Sequence, residues 1–343
     1  MKTKTFKILC IDGGGIKGLY SAQVLAEFEE FFKTNISDHF DLICGTSTGG
    51  IIALAASAKI PMNKVVSLYD KKGPAIFNQR CKLFGIGNFI MSIKQALFCS
   101  KYNGKSLEKA LKEVFGDMKL ASSNNLLCIP AYNISTASTR VFKMDYDTLC
   151  TDSGKSYVDV AMATTAAPTY LPIREINDIE YVDGGLWAND PTLVGVTEFV
   201  FKHCKSAKDR GENDYDSVEI LSISSCEKEG GRTNFWKRRS FLGWKDCLFD
   251  TYSKGQACSN SIFLAQIKKH LDFNLDIVRV KHKPLSANQQ NLIEMDNASR
   301  QSRKLLRGLG KETAANWKEK PEIRKFFNEL KTYHNYGKQS RTV

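Results

Sequence analysis

A serine between two glycines, Gly45-Thr46-Ser47-Thr48-Gly49, is the pattern in this chain that carries the most chemistry. A serine hydroxyl becomes a nucleophile when a neighbouring base takes its proton. The spacing describes a nucleophile elbow, a turn so tight that side chains two residues before and two after the serine would clash, hence Gly45 and Gly49. The base must come from elsewhere. Asp183, in Tyr181-Val182-Asp183-Gly184-Gly185-Leu186, is the natural choice; Asp-Gly alone is a common turn and gains meaning only beside the elbow. The five histidines, His39, His203, His270, His282 and His334, all lie outside glycine-rich and turn motifs. A direct Ser47–Asp183 dyad is therefore the simpler reading, with a Ser47, Asp183, His282 triad in α/β-hydrolase order as its rival.

A second glycine cluster, Asp12-Gly13-Gly14-Gly15-Ile16-Lys17-Gly18, admits two readings. Gly13-x-Gly15-x-x-Gly18 fits the dinucleotide fingerprint, which also requires an acidic residue at the end of the second strand. Asp38 and Asp41 come before that strand, at its wrong end. In the other reading, Gly13, Gly14 and Gly15 aim backbone N–H groups at one point and form an oxyanion hole, with Lys17 adding positive charge nearby or standing as a solvated loop lysine.

These residues need rigid elements behind them. Leu42 to Cys44 is short and apolar like a buried strand, and Ile51 to Ala58 is Ala-rich without a breaker, so Ser47 falls on a strand-to-helix turn at the positive end of a helix. Lys7 to Ile11 reads as the strand before the glycine cluster, and Leu19, Val24, Leu25, Phe28, Phe31 and Phe32 mark an amphipathic helix after it. Further helices are expected over Met62–Phe77 and Ser106–Phe115, and neighbouring strands over Leu126–Ile134 and Thr139–Met144. A small-residue helix follows from Val158 and ends at Pro168, a strand leads to Asp183, and Asp190-Pro191 caps the next helix. Apolar residues from Phe84 to Phe98 read either as a core helix or as a lid that meets lipid.

Composition narrows the class. The 343 residues suffice for a large core, and the ten cysteines are scattered without a C-x-x-C pair, which implies reduced core thiols and no zinc site. Absence of an apolar leader or membrane-length segment points to the cytoplasm. The net charge of +12 favours a polyanionic partner or plain solubility; without zinc-finger, homeodomain or RNP patterns, a membrane surface or nucleotide ligand is preferred to DNA or RNA.

Asp12 to Gly18, Gly45-Thr46-Ser47-Thr48-Gly49-Gly50, Ala166-Ala167-Pro168-Thr169-Tyr170 and Asp183-Gly184-Gly185 together resemble the four blocks of the patatin-like phospholipase family, in its order, over roughly residues 6 to 225. The resemblance implies an α/β, three-layer fold with a central, mostly parallel sheet between helices. It also implies a Ser47–Asp183 dyad, an oxyanion hole from Gly13 to Gly15, cleavage of phospholipid esters, and no metal or other cofactor. Residues 226–336 are expected to pack on the same domain as a largely helical elaboration, and 337–343 to form a tail. More loosely, size, early first motif and a basic C-terminal third resemble bacterial patatin-like effectors of cyclic-nucleotide anti-phage signalling. That resemblance implies a cyclic di- or trinucleotide activator, action at the inner face of the cell membrane and a homo-oligomer. A constitutive lipase, or a lipid- or nucleotide-binding module without catalysis, are the alternatives.

Overall fold

A computed structural model describes residues 4–77, 100–144, 151–202, 204, 215–228 and 241–332. Phe84–Phe98 and the tail lie outside the described residues. Five strands run parallel in the order β3 (Leu126–Asn133), β2 (Leu42–Gly45), β1 (Thr5–Ile11), β7 (Ser217–Ile223) and β8 (Asn274–Val280). Antiparallel partners extend the sheet beyond β3: β4 (Ser138–Lys143) and β6 (Ile179–Asp183) pair with it, and β5 (Arg174–Ile176) pairs with β6. The sheet is therefore mixed, parallel at its centre and antiparallel at one side.

Both faces of the parallel strands are covered, which is why they read as near-continuous apolar runs. Leu9 and Ile11 of β1 join a core formed with α1 (Gly18–Phe32), α2 (Thr48–Ser57), α3 (Met62–Ile76), α4 (Lys105–Phe115) and α5 (Tyr157–Thr164). The short α6 (Gly185–Ala188) leads to the other layer. There, Phe6, Ile8 and Cys10, the alternate residues of β1, pack with α7 (Thr192–Lys202) and α8 (Phe241–Ile267). Cys10, Cys44 and Cys128 stand in register on three adjacent strands of this face, buried and free of disulfides. They behave as small core residues.

The C-terminal third completes the first layer. After α9 (Ala287–Leu292), α10 (Arg300–Trp317) lies against α1, and α11 (Pro321–Phe327) stacks Phe327 on Phe32 at 4.2 Å and Phe326 on Phe40 at 5.8 Å. β8 brings this third into the sheet, beside β7. α10 runs unbroken through Gly308 and Gly310 to Trp317 and stops before Pro321. Gly310 is a contact residue, because a Cβ there would lie 2.7 Å from the Gln23 side chain on α1. The expected helix from Val158 also stops early, at Thr164, and leaves residues 166–171 as a turn.

Candidate active site

The turn between β2 and α2 holds Ser47 at φ 55°, ψ −125°, a strained conformation for a residue with a side chain. Its surroundings enforce it. A Cβ on Gly45 would stand 2.2 Å from the Gly49 carbonyl oxygen, and one on Gly49 would stand 2.3 Å from that of Ile11. The Ser47 N–H donates to Thr164 Oγ1 at 2.9 Å, and that hydroxyl donates onward to the Pro130 carbonyl at 2.6 Å. Thr46 is fixed on the other side, its hydroxyl donating to the Ala188 carbonyl at 2.5 Å.

Asp183 ends β6 and points back at the elbow. Its N–H donates to the Ala166 carbonyl at 3.0 Å, which gives the Ala166-Ala167-Pro168 block a mechanical role: the turn after α5 sets the height of the carboxylate. Gly184 lets the chain pass close to Pro130, where a Cβ would come within 2.2 Å of its carbonyl oxygen. The Ser47 hydroxyl donates to Asp183 Oδ2 at 2.7 Å, and the Gly185 N–H donates to Asp183 Oδ1 at 2.6 Å. Burial disfavours the charge on this fully enclosed carboxylate and raises its pKa from 3.8 to about 7, although both hydrogen bonds pull the other way. Such a group accepts a proton near neutral pH far better than an ordinary aspartate does.

The glycine loop needs a correction. The Gly13 N–H donates to the Asn189 carbonyl at 3.0 Å, so it is spent on the fold and is not an oxyanion donor in this arrangement. The Gly14 N–H donates to Thr48 Oγ1 at 3.2 Å, a side-chain partner that can rotate away, while the N–H groups of Gly15 and Thr48 have no protein partner among the described residues. Gly15 adopts φ +61° beneath the Met295 carbonyl, which accepts from the Ile16 N–H at 2.8 Å and sits where a Gly15 side chain would be. Gly18, which opens α1, packs on Thr48 and Tyr69. Lys17 is 7% exposed, and its ammonium lies 3.7 Å from Asp250 on α8 rather than in solvent.

Beside Ser47 opens a mainly apolar cavity of about 530 Å³, counted to its mouth and walled by Ile51, Tyr69, Ile76, Leu107, Leu171 and Met295. Its apolar lining suits an acyl chain. His282 is elsewhere. Its Nε2 accepts from the Glu227 N–H at 3.2 Å, and its Nδ1 is 2.6 Å from the Lys283 carbonyl oxygen. His39 is bonded to Thr34 and to the Glu329 carbonyl. His203 and His334 are outside the described residues.

Sequence reasoning missed Arg279, Met295 and the role of Thr164. Arg279 on β8 forms ion pairs with Asp12 at 2.5 Å, Asp190 at 3.3 Å and Glu227 at 3.8 Å. Burial opposes its charge, but the three carboxylates outweigh that and hold its pKa above the usual arginine value. Asp190 also accepts from the Thr192 N–H at the start of α7, the capping role expected of it. No local sequence signal marks Arg279 or Met295, since each reaches the site only through the sheet or the path of the chain.

Among the described residues no helix is long and apolar enough to cross a membrane, and no group of His, Cys, Asp or Glu is arranged to hold a metal ion. A family model described as patatin-like phospholipase matches residues 9–196. A cGAMP-activated phospholipase of Pseudomonas aeruginosa (strain BWHPSA011 / Pa011) is 32% identical over 273 residues, covering 79% of this chain and 78% of the relative. One of the same name from Escherichia coli (strain TW11681) is 28% identical over 343 residues, covering 94% and 92%. Patatin-like protein 4 of Arabidopsis thaliana is 32% identical over 210 residues, covering 55% and 51%.

Proposed function

Because the chain belongs to the patatin-like phospholipase family, and is a lipid acyl hydrolase accordingly, we propose that it cleaves membrane phospholipid esters through a Ser47–Asp183 dyad under the control of a cyclic di- or trinucleotide. One observation carries the dyad: the buried 2.7 Å hydrogen bond from the Ser47 hydroxyl to an aspartate whose pKa is about 7. Asp183 takes the proton as Ser47 Oγ attacks the ester carbonyl. The N–H groups of Gly14, Gly15 and Thr48 receive the oxyanion, with the Thr48 hydroxyl turning away from Gly14. The protonated Asp183 then gives its proton to the departing glycerol oxygen, and an acyl group remains on Ser47. Water, deprotonated by the same carboxylate, releases the fatty acid and restores the serine. The apolar cavity at Ser47 holds the acyl chain throughout.

Support for the activator comes from the relatives of Pseudomonas aeruginosa and Escherichia coli, each called a cGAMP-activated phospholipase and each matched over most of its length. In this reading the protein works in bacterial antiviral defence at the inner face of the cell membrane, held inactive until the messenger binds outside the serine site and favours an open, oligomeric form. The test is purified, nucleotide-free protein on liposomes, with fatty-acid release measured with and without a panel of cyclic nucleotides. Release that depends on one of them, and that disappears in Ser47→Ala together with fluorophosphonate labelling, is the expected result. Equal release under all conditions would make the protein a constitutive lipase, and labelling of Ser47→Ala would remove Ser47 as the nucleophile.

A further inference from the structure

A second, narrow cleft, of about 330 Å³ when counted out into open solvent, reaches the glycine loop at Gly13 and Gly14 and shares Met295 with the acyl cavity. Its character is polar. Two buried atoms in its wall have no hydrogen-bond partner among the described residues: Asn189 Oδ1, on a residue 5% exposed, and Ser253 Oγ, on a residue 8% exposed. Buried polar atoms are nearly always paired, so two of them on residues that line one cleft point to an occupant that pairs them. The cleft also carries an uncompensated cation. Lys254 makes a hydrogen bond to the Lys228 carbonyl and no ion pair among the described residues, which leaves two ammonium protons available. Of the carboxylates there, Asp250 lies 3.7 Å from Lys17, and Glu227 lies 3.8 Å from Arg279, a cation it shares with Asp12 and Asp190.

An ammonium and a hydroxyl donate to an anion, and the asparagine oxygen accepts from a hydroxyl or ammonium. A phosphodiester whose far side bears such a donor offers both. Gly13, on the rim of this cleft, is in contact with Ser47: a Cβ on it would lie 3.1 Å from Ser47 Cβ. On the reading of Ser47 as the nucleophile, we propose that the cleft is the head-group subsite, where Lys254 and Ser253 donate to the lipid phosphodiester and Asn189 Oδ1 accepts from a donor on the head group, while the acyl ester of the same glycerol reaches Ser47. A free cyclic nucleotide carries phosphodiesters too, but the shared glycine loop and Met295 favour a ligand that also extends into the apolar cavity.

Binding, rather than turnover, tests this. In the Ser47→Ala background, calorimetry with dihexanoyl phosphatidylglycerol should show Lys254→Ala weakening affinity about tenfold, as expected for a lost hydrogen bond to a charged group, with partial rescue by Lys254→Arg. Ser253→Ala removes an unpaired atom and should weaken the same ligand without lowering the melting temperature. Dihexanoyl glycerol, which has no phosphate, should bind Ser47→Ala with and without Lys254→Ala equally, and so should cGAMP. Unchanged phosphatidylglycerol affinity overturns the proposal, and so does loss of cGAMP binding alone, which would give the phosphodiester to the messenger. The assignment of Ser47 stands or falls separately, on fluorophosphonate labelling.

Discussion

Arg279 grips Asp12 with both terminal nitrogens, at 2.9 and 2.5 Å, across 267 residues of sequence. The contact ties β8 to the first residue of the glycine loop and sets the loop's starting point beside Ser47. Removing the cation strands Asp12 and Asp190 in a dry interior. Arg279→Met should therefore cost about 3–5 kcal/mol in urea unfolding, the range for breaking one partner of a buried pair. Arg279→Lys should recover only part of it, because an ammonium cannot make the bidentate contact.

Asp183 should make activity and stability depend on pH in opposite senses. The proposed base must be ionised, so kcat/KM should rise with pH and reach half its plateau near pH 7. For stability, a folded-state pKa raised above the ordinary 3.8 means a contribution fully present below that value and lost as pH climbs through about 7. Asp183→Asn keeps the shape and removes the charge. It should abolish turnover, raise the melting temperature by about 3 °C near pH 8, and change it little near pH 5.

Nucleophile and base acting as one unit should give non-additive losses. Ser47→Ala combined with Asp183→Ala should be no slower than the slower single variant in a fatty-acid release assay. His282→Gln should retain most of the activity, since both ring nitrogens are engaged away from Asp183. A loss of several orders of magnitude in a folded His282→Gln protein would instead support the triad.

Glycines of two kinds should separate cleanly by thermal unfolding. Gly45→Ala forces a methyl to within 2.2 Å of the Gly49 carbonyl oxygen and should displace the elbow, with loss of activity and a large fall in melting temperature. Gly308 lies inside α10 with open space where its Cβ would point. Gly308→Ala should stabilise by about 0.5–1 kcal/mol, by lowering backbone entropy in the unfolded chain.

The sequence by itself determined the local parts of this protein: the strand before each glycine motif, the helix after it, and the need for Gly45 and Gly49. These follow from backbone sterics and hydrophobic period, which act over a few residues. Only the tertiary structure decided what depends on distant partners. The N–H of Gly13 is consumed by Asn189, the elbow is braced by Thr164, and Met295 covers Gly15, all through contacts made when the sheet assembles. The pKa of Asp183 belongs there too, because its principal cause is exclusion from water, and Asp-Gly in sequence does not tell whether a carboxylate is wet or dry. Arg279 is the clearest case: one arginine among many basic residues in sequence, and the counter-charge of the glycine loop once β8 joins the sheet.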